Sequence, residues 1–209
     1  MSDNQCQLYL ITPEKLEPRN FANDLAAAID AGNVACVQLR LKHASRDELV
    51  HAIDVLRPPV QERNVAFVLN DDPKLASQTG CDGVHVGQED TPYKNARAIV
   101  GGEAIVGVTC LDSLDLAMRA AEQGADYVAF GAFFPTNTKA SQGNPSSEIL
   151  KTWSTLTTVP SVAIGGIKPG NCAPLVSAGA DFLAVISAVW DHPQGPANAV
   201  KEFNKAINQ

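Results

Sequence analysis

The sequence predicts one α/β domain, a single (β/α)8 barrel spanning residues 1–209. Short apolar runs alternate with amphipathic or Ala-rich stretches from end to end, and eight such runs can be counted. The phrase Gly-Ala-Asp recurs at 124–126 and 179–181, each time between a helical stretch and an apolar run, with Gly80-Cys81-Asp82 as a near echo. A chain of 209 residues holds one sizeable core and is short for two ordinary domains. An open doubly wound sheet is the runner-up, but the chain lacks the G-x-G-x-x-G opening of that fold.

The first strand is expected at Leu8–Ile11. A helix over Phe21–Ala31 follows, with Phe21, Leu25, Ala28 and Ile29 at helical spacing and Gly32 as its stop. The second strand, Val34–Leu39, leads to a helix over Arg46–Leu56, with Ser45 as N-cap and Glu48 at the capping-box position. Strands three and four are Ala66–Leu69 and Gly83–Val86; Asp90 before Thr91-Pro92 is placed to cap a helix that starts at Pro92. Strand five, Ala104–Val108, precedes a helix over Ser113–Gln123 that stops at Gly124. Strand six, Tyr127–Phe130, breaks at Gly131 and runs into the loop Pro135-Thr136-Asn137-Thr138-Lys139. Strand seven, Ser161–Ile164, is followed by a helix over Asn171–Ala178 that stops at Gly179. Strand eight is Phe182–Ile186; Ser187 then opens a short helix, and a last helix over Ala197–Ile207 starts behind Pro196. Most of these strands are near-continuous apolar runs, as expected for parallel strands covered on both faces.

A hydrophobic content of 45% and a charged content of 19% fit a folded domain rather than a disordered one. The net charge of -7 argues against a broadly basic surface for nucleic acid, while leaving room for a local basic pocket. The start, Met-Ser-Asp-Asn-Gln-Cys-Gln, reads as no secretion signal, and no apolar run is long enough to span a bilayer. The five cysteines are scattered without a C-x-x-C pair, which suits free thiols in a reducing cytoplasm. The four histidines show no zinc-type spacing.

In a barrel, chemistry sits at the C-terminal ends of the strands. Gln38, Arg40 and Lys42 alternate with Val37, Leu39 and Leu41, so period-two spacing places the polar groups on one side of an extended chain, where converging cations suit a polyanion such as pyrophosphate. Asn70, Asp71 and Asp72 end the third strand; the fourth gives His85, Gln88, Glu89 and Asp90. Carboxylates beside a pyrophosphate need a cation between, and Mg²⁺ takes one or two carboxylates plus phosphate oxygens, so Asp71 and Asp90 are the expected ligands, ahead of Glu89 and Asp72. Thr109 ends strand five. Thr136, Thr138 and Lys139 place two hydroxyls and an ammonium within four residues, enough to grip a phosphoryl group from several sides. Gly165-Gly166 after strand seven lets backbone N–H groups approach an anion, and Ser187 follows strand eight, the pair of loops at which barrels often hold a phosphate. Two anion-binding sets facing one mouth predict two phosphorylated substrates. No Ser/His/Asp arrangement or lysine in an apolar pocket points to covalent catalysis.

On these segments the chain resembles the thiamine phosphate synthase family. The resemblance is carried by Val37-Gln-Leu-Arg-Leu-Lys42, Leu69-Asn-Asp71, Asp82-Gly-Val-His-Val-Gly-Gln-Glu-Asp90, Gly107-Val-Thr109, Gly124-Ala-Asp-Tyr-Val128, Pro135-Thr-Asn-Thr-Lys139, Ala163-Ile-Gly-Gly-Ile167, and Gly179-Ala-Asp181 to Ile186-Ser187. It implies an enzyme that joins a hydroxymethylpyrimidine diphosphate to a thiazole phosphate and releases diphosphate. It also implies that Gln38, Arg40, Lys42, Asn70 and Lys139 hold the pyrimidine diphosphate, with Arg40, Lys42 and Lys139 assisting its departure, that Asp71 and Asp90 hold Mg²⁺, and that Thr109 lies near the diphosphate. Thr136, Thr138, Gly166, Ile186 and Ser187 would then bind the thiazole phosphate. The implied mechanism is dissociative, by way of a pyrimidine carbocation. The chain departs from the family pattern at Leu111, where His is usual, at Ala140, and at Leu41.

Two other readings are a related thiazole tautomerase, which resembles this chain but lacks the Pro-Thr-x-Thr-Lys loop, and a non-catalytic barrel that senses thiamine precursors. The expected partners are two phosphorylated small molecules, with neither nucleic acid nor membrane and with room for a homo-oligomer. The expected cofactor is Mg²⁺ and the expected location the cytoplasm.

Overall fold

The structure, a computed structural model, describes residues 6–136 and 143–209. Its elements run β1 (Gln7–Ile11), α1 (Pro18–Asp30), β2 (Val34–Leu39), α2 (Arg46–Gln61), β3 (Ala66–Asn70), α3 (Pro73–Thr79), β4 (Gly83–Val86), α4 (Tyr93–Val100), β5 (Ile105–Leu111) and α5 (Leu114–Glu122). They continue as β6 (Tyr127–Gly131), α6 (Glu148–Leu156), β7 (Ser161–Ile164), α7 (Ala173–Ser177), β8 (Phe182–Val185), α8 (Ser187–Trp190) and α9 (Pro196–Ile207). The strands close in sequence order, β8 pairing with β1, and every pair is parallel. This is the predicted TIM barrel.

Two layers of apolar side chains hold it together. The outer layer lies between strands and helices and buries Leu39, Phe67, Phe130, Trp153 and Phe203 completely or nearly so. The inner layer fills the barrel with Tyr9, Val68, Tyr127, Ala129, Val162 and Ala184. Among the described residues, no helix is long and apolar enough to cross a membrane.

The recurring Gly-x-Asp phrase has a structural job. Asp82 accepts the Phe67 N–H at 2.7 Å through its side chain and donates its own N–H to the Phe67 carbonyl. Asp126 treats Val106 the same way at 2.7 Å, and Asp181 treats Ser161 likewise, also at 2.7 Å. Each aspartate therefore grips both backbone groups at the N-terminal edge of the preceding odd-numbered strand. These are groups that the ladder leaves unpaired.

The helices depart from expectation where local signals misled. α2 keeps its capping box at Ser45 and Glu48 but continues through Pro58 and Pro59, residues that normally end a helix. α1 starts earlier because Glu17 caps it, accepting from Arg19 and Asn20, with Pro18 in its first turn. α3 was not expected. It is one short run, capped by Asp72 and stopped by Gly80 in the left-handed region at φ 70. α6, with Leu150 and Trp153 buried, was also missed. Asp90 does not cap α4: Pro92 precedes that helix with no side-chain cap, and the Asp90 carboxylate instead accepts the Gly87 N–H at 2.7 Å. β8 ends at Val185, one residue short, and Ile186 turns directly into α8.

Candidate active site

A cavity of about 520 Å³ opens at the C-terminal ends of the strands. Its base is built from inward-facing strand residues. Tyr9, Gln38, His85 and Tyr127 are the polar ones, and Ile11, Ala129, Val162 and Ala184 supply apolar surface.

Of the expected cationic set, Gln38 and Arg40 line this cavity with Asn70. Gln38 is 3% exposed and donates its amide N–H to the Tyr9 hydroxyl at 3.1 Å. Arg40 pairs with Glu14 at 2.8 Å, and its backbone N–H is accepted by the Thr12 hydroxyl at 3.0 Å. That hydrogen bond from Arg40 holds the Glu14 carboxyl below the usual carboxylate range. Lys42 does not line the main cavity. β2 ends at Leu39, His43 adopts φ 63, and the Lys42 N–H bonds the Glu14 carbonyl at 3.2 Å. The period-two alternation therefore stops before Lys42, which borders a neighbouring hollow with Glu14, Lys15 and His43.

Asp71 and Asp90 follow adjacent strands, β3 and β4. Asp71 takes φ 68, and its N–H donates to the His85 carbonyl at 2.8 Å, so the main chain turns sharply as it leaves β3. Asp72, a weaker ligand candidate, is occupied in capping α3, where it accepts the Leu75 N–H at 2.9 Å. Among the described residues, no group of three or more His, Cys, Asp or Glu side chains is arranged to hold a metal ion. Neither Asp71 nor Asp90 lines the cavity, and one Asp90 carboxylate oxygen accepts the Gly87 N–H; Mg²⁺ needs only one or two carboxylates when phosphate oxygens supply the rest of its shell.

Thr109 lies near the end of β5, in the cavity wall. Its hydroxyl is 2.7 Å from His85 Nε2, and its carbonyl accepts from Gln88 at 2.5 Å. Two residues on, Leu111 also faces the cavity with φ 56, where β5 slips register against β6.

The opposite wall joins β6, β7 and β8. The Phe133 and Phe134 N–H groups bond the Ile164 and Gly165 carbonyls at 3.1 and 3.0 Å, lacing the loop after β6 onto the end of β7. A Cβ on Gly165 would meet the Ala132 Cβ at 2.3 Å, and one on Gly166, at φ 61, would meet the Pro135 carbonyl at 2.5 Å. Only glycine permits that approach. Asn171 braces the turn, accepting the Lys168 N–H at 2.7 Å and donating to the Gly166 carbonyl at 3.1 Å. Thr136, Gly166, Ile186 and Ser187 all line the cavity here, as expected. Thr138 and Lys139 lie outside the described residues.

The sequence reading missed Tyr9, Tyr127 and Glu14, and left His85 without a role. A signal existed for the first two: a phenol inside an otherwise aliphatic strand buries an O–H that needs a partner. Burial pushes the Tyr9 and Tyr127 phenols well above their ordinary range and the Cys110 thiol up to about 12, so none of them is an anionic nucleophile.

A family model described as thiamine monophosphate synthase matches residues 8–189. The chain is similar to the thiamine-phosphate synthase of Rhodospirillum centenum, 61% identical over 97% of this chain and 98% of that one. It is also similar to the thiamine-phosphate synthase of Hyphomonas neptunium, 47% identical over 95% of this chain and 92% of the other. Among solved structures, the thiamine phosphate pyrophosphorylase of Pyrococcus furiosus superposes with a TM-score of 0.84 at 32% identity, covering 98% of this chain and 96% of that one.

Proposed function

This chain belongs to the thiamine monophosphate synthase family, and from that premise we propose that it joins a 4-amino-2-methyl-5-hydroxymethylpyrimidine diphosphate to a 4-methyl-5-(2-phosphoethyl)thiazole, giving thiamine phosphate and diphosphate. The observation that carries the reading is the two-sided cavity. Arg40 and Asn70 stand on one wall and Gly166 and Ser187 on the other, so that two anions can face each other across one space.

The pyrimidine diphosphate sits on the Gln38, Arg40 and Asn70 side, with Lys139 as a further cation. The thiazole phosphate sits against Gly166, Ile186 and Ser187, with Thr136 and Thr138 from the loop after β6. Asp71 and Asp90 would hold Mg²⁺, which when bound supplies positive charge to the leaving diphosphate. The C–O bond to the pyrimidine methylene breaks, its electron pair leaves with the diphosphate, and Arg40 and the neighbouring donors stabilise that charge. The thiazole ring nitrogen, held close by its anchored phosphate, gives its lone pair to the resulting carbocation. The apolar surface of Ile11, Ile164 and Ile186 limits water at the reacting carbon. No strong base is required, which agrees with the absence of an anionic nucleophile among the cavity phenols.

The test is incubation of the protein with both precursors and Mg²⁺, followed by chromatography for thiamine phosphate. Binding of both precursors without product would identify a sensor, and conversion of the thiazole phosphate alone to an isomer would identify a tautomerase.

A further inference from the structure

The cavity floor carries a line of hydrogen bonds whose middle members, Tyr9, Tyr127 and His85, have no part in the reaction above. Gln38 Nε2 donates to Tyr9 Oη at 3.1 Å. The Tyr9 and Tyr127 hydroxyls are 2.8 Å apart. Tyr127 Oη lies 2.8 Å from His85 Nδ1, and His85 Nε2 lies 2.7 Å from Thr109 Oγ1. The line crosses the barrel from β2 through β1, β6 and β4 to β5. Its middle members are nearly buried: Tyr9 is 3%, Tyr127 6% and His85 8% exposed. Its geometry is built in, because a Cβ on Gly107 would sit 1.9 Å from the Tyr127 ring, so glycine there makes room for the phenol. The His85 and Tyr127 rings stack with centroids 5.6 Å apart.

We propose that Tyr9, Tyr127 and His85 are positioning residues that make the Thr109 hydroxyl a fixed hydrogen-bond donor toward the diphosphate side of the cavity. The proposal rests on the reaction proposed above for its substrate and on the hydrogen-bond line for its geometry.

Donor and acceptor roles propagate from Gln38. An amide nitrogen only donates, so the Tyr9 oxygen accepts from Gln38; either phenol can donate across the Tyr9–Tyr127 contact, and the proposed arrangement has Tyr9 as that donor. The Tyr127 proton then goes to His85 Nδ1. A neutral imidazole that accepts at Nδ1 carries its proton on Nε2, which it donates to Thr109 Oγ1. The threonine proton is left for the cavity. A donor oriented in advance meets the negative charge that grows on a departing diphosphate without reorganising. With the opposite tautomer, Thr109 would donate to the ring and present lone pairs to that charge.

The tautomer is read directly by nitrogen NMR of histidine-labelled, ligand-free protein. The expected result is a single neutral His85 with its proton on Nε2, and a mixture of tautomers in Tyr127→Phe, which loses only one hydroxyl. In turnover, Tyr127→Phe is expected to lower kcat by about 10-fold with the KM for thiazole phosphate unmoved. The same change is expected to cost almost nothing in a Thr109→Val background, because the two residues act as one unit. Thr109→Ser should retain the wild-type response. A proton on Nδ1 in the wild type, or an equal cost of Tyr127→Phe in both backgrounds, would overturn the proposal. Because the tautomer is measured without substrate, a lack of thiamine phosphate formation would count against the reaction and leave the tautomer result to decide on the hydrogen-bond line.

Discussion

Arg40 and Glu14 form an ion pair at 2.8 Å at the cavity mouth, the arginine side chain 11% exposed and the glutamate 37%. A guanidinium has five N–H donors in a rigid fork, so one contact with Glu14 fixes its plane and leaves other donors for a phosphate. Glu14 both orients Arg40 and offsets its charge, and two substitutions separate these effects. Glu14→Gln keeps an acceptor and removes the charge, so the KM for the pyrimidine diphosphate is expected to stay within about 3-fold of wild type or to fall. Glu14→Ala loses the orientation as well and should raise it by about 10-fold. Steady-state kinetics of both variants check this.

The same pair makes a pH prediction. The Glu14 carboxyl is held below its ordinary range by the Arg40 hydrogen bond. A depressed folded-state pKa contributes stability above the unfolded value, about 4.3, and loses it as pH falls through the folded value. Water at the mouth screens the half-exposed carboxylate, so the contribution is small, about 0.5 kcal/mol. Urea unfolding should therefore show wild type above Glu14→Gln by that margin at neutral pH, with the gap closing below about pH 4.

Gly166 separates the two anion subsites in a different way. Its φ of 61 and the 2.5 Å approach of the Pro135 carbonyl to a built Cβ mean that alanine must push the loop after β6 away from β7. Gly166→Ala is expected to raise the KM for thiazole phosphate by about 10-fold or more while leaving that for the pyrimidine diphosphate nearly unchanged. Varying each substrate at saturation of the other measures the split.

At the far end of the barrel, Asp181 accepts the Ser161 N–H at 2.7 Å and the Ser161 hydroxyl at 3.2 Å, and Ser161 is fully buried. Asp181→Ala leaves the Ser161 N–H without its acceptor, the hydroxyl keeping only the Gly179 carbonyl at 3.5 Å, and should cost about 1–3 kcal/mol in urea unfolding, with kcat unchanged because the clamp lies opposite the cavity.

The barrel was legible because parallel strands buried on both faces read as short aliphatic runs, and the Gly-x-Asp phrase marked the starts of three of them, β4, β6 and β8. The glycine wall was legible for a similar reason: Gly165-Gly166 and Ser187 sit at fixed offsets from strand ends. Lys42 was misjudged because alternation was carried past Leu39, and only the turn at His43 shows where the extended chain stops. The α2 helix was cut short by two prolines that packing of Leu56 and Val60 overrides. Pairings across the barrel were not legible. Tyr9 and Tyr127 are 118 residues apart, and nothing local to either says that their hydroxyls meet. Glu14, in the turn after β1, had no signal pointing to Arg40.

We propose that the two walls of one cavity bring two phosphorylated molecules into a metal-assisted condensation. Its most direct measurement is the ratio of diphosphate released to thiamine phosphate formed, followed in one reaction with each substrate and Mg²⁺ omitted in turn. Equal amounts of the two products are expected, formed only when both substrates and Mg²⁺ are present. Full turnover without Mg²⁺, or tight binding of both substrates with neither product formed, would contradict the proposal.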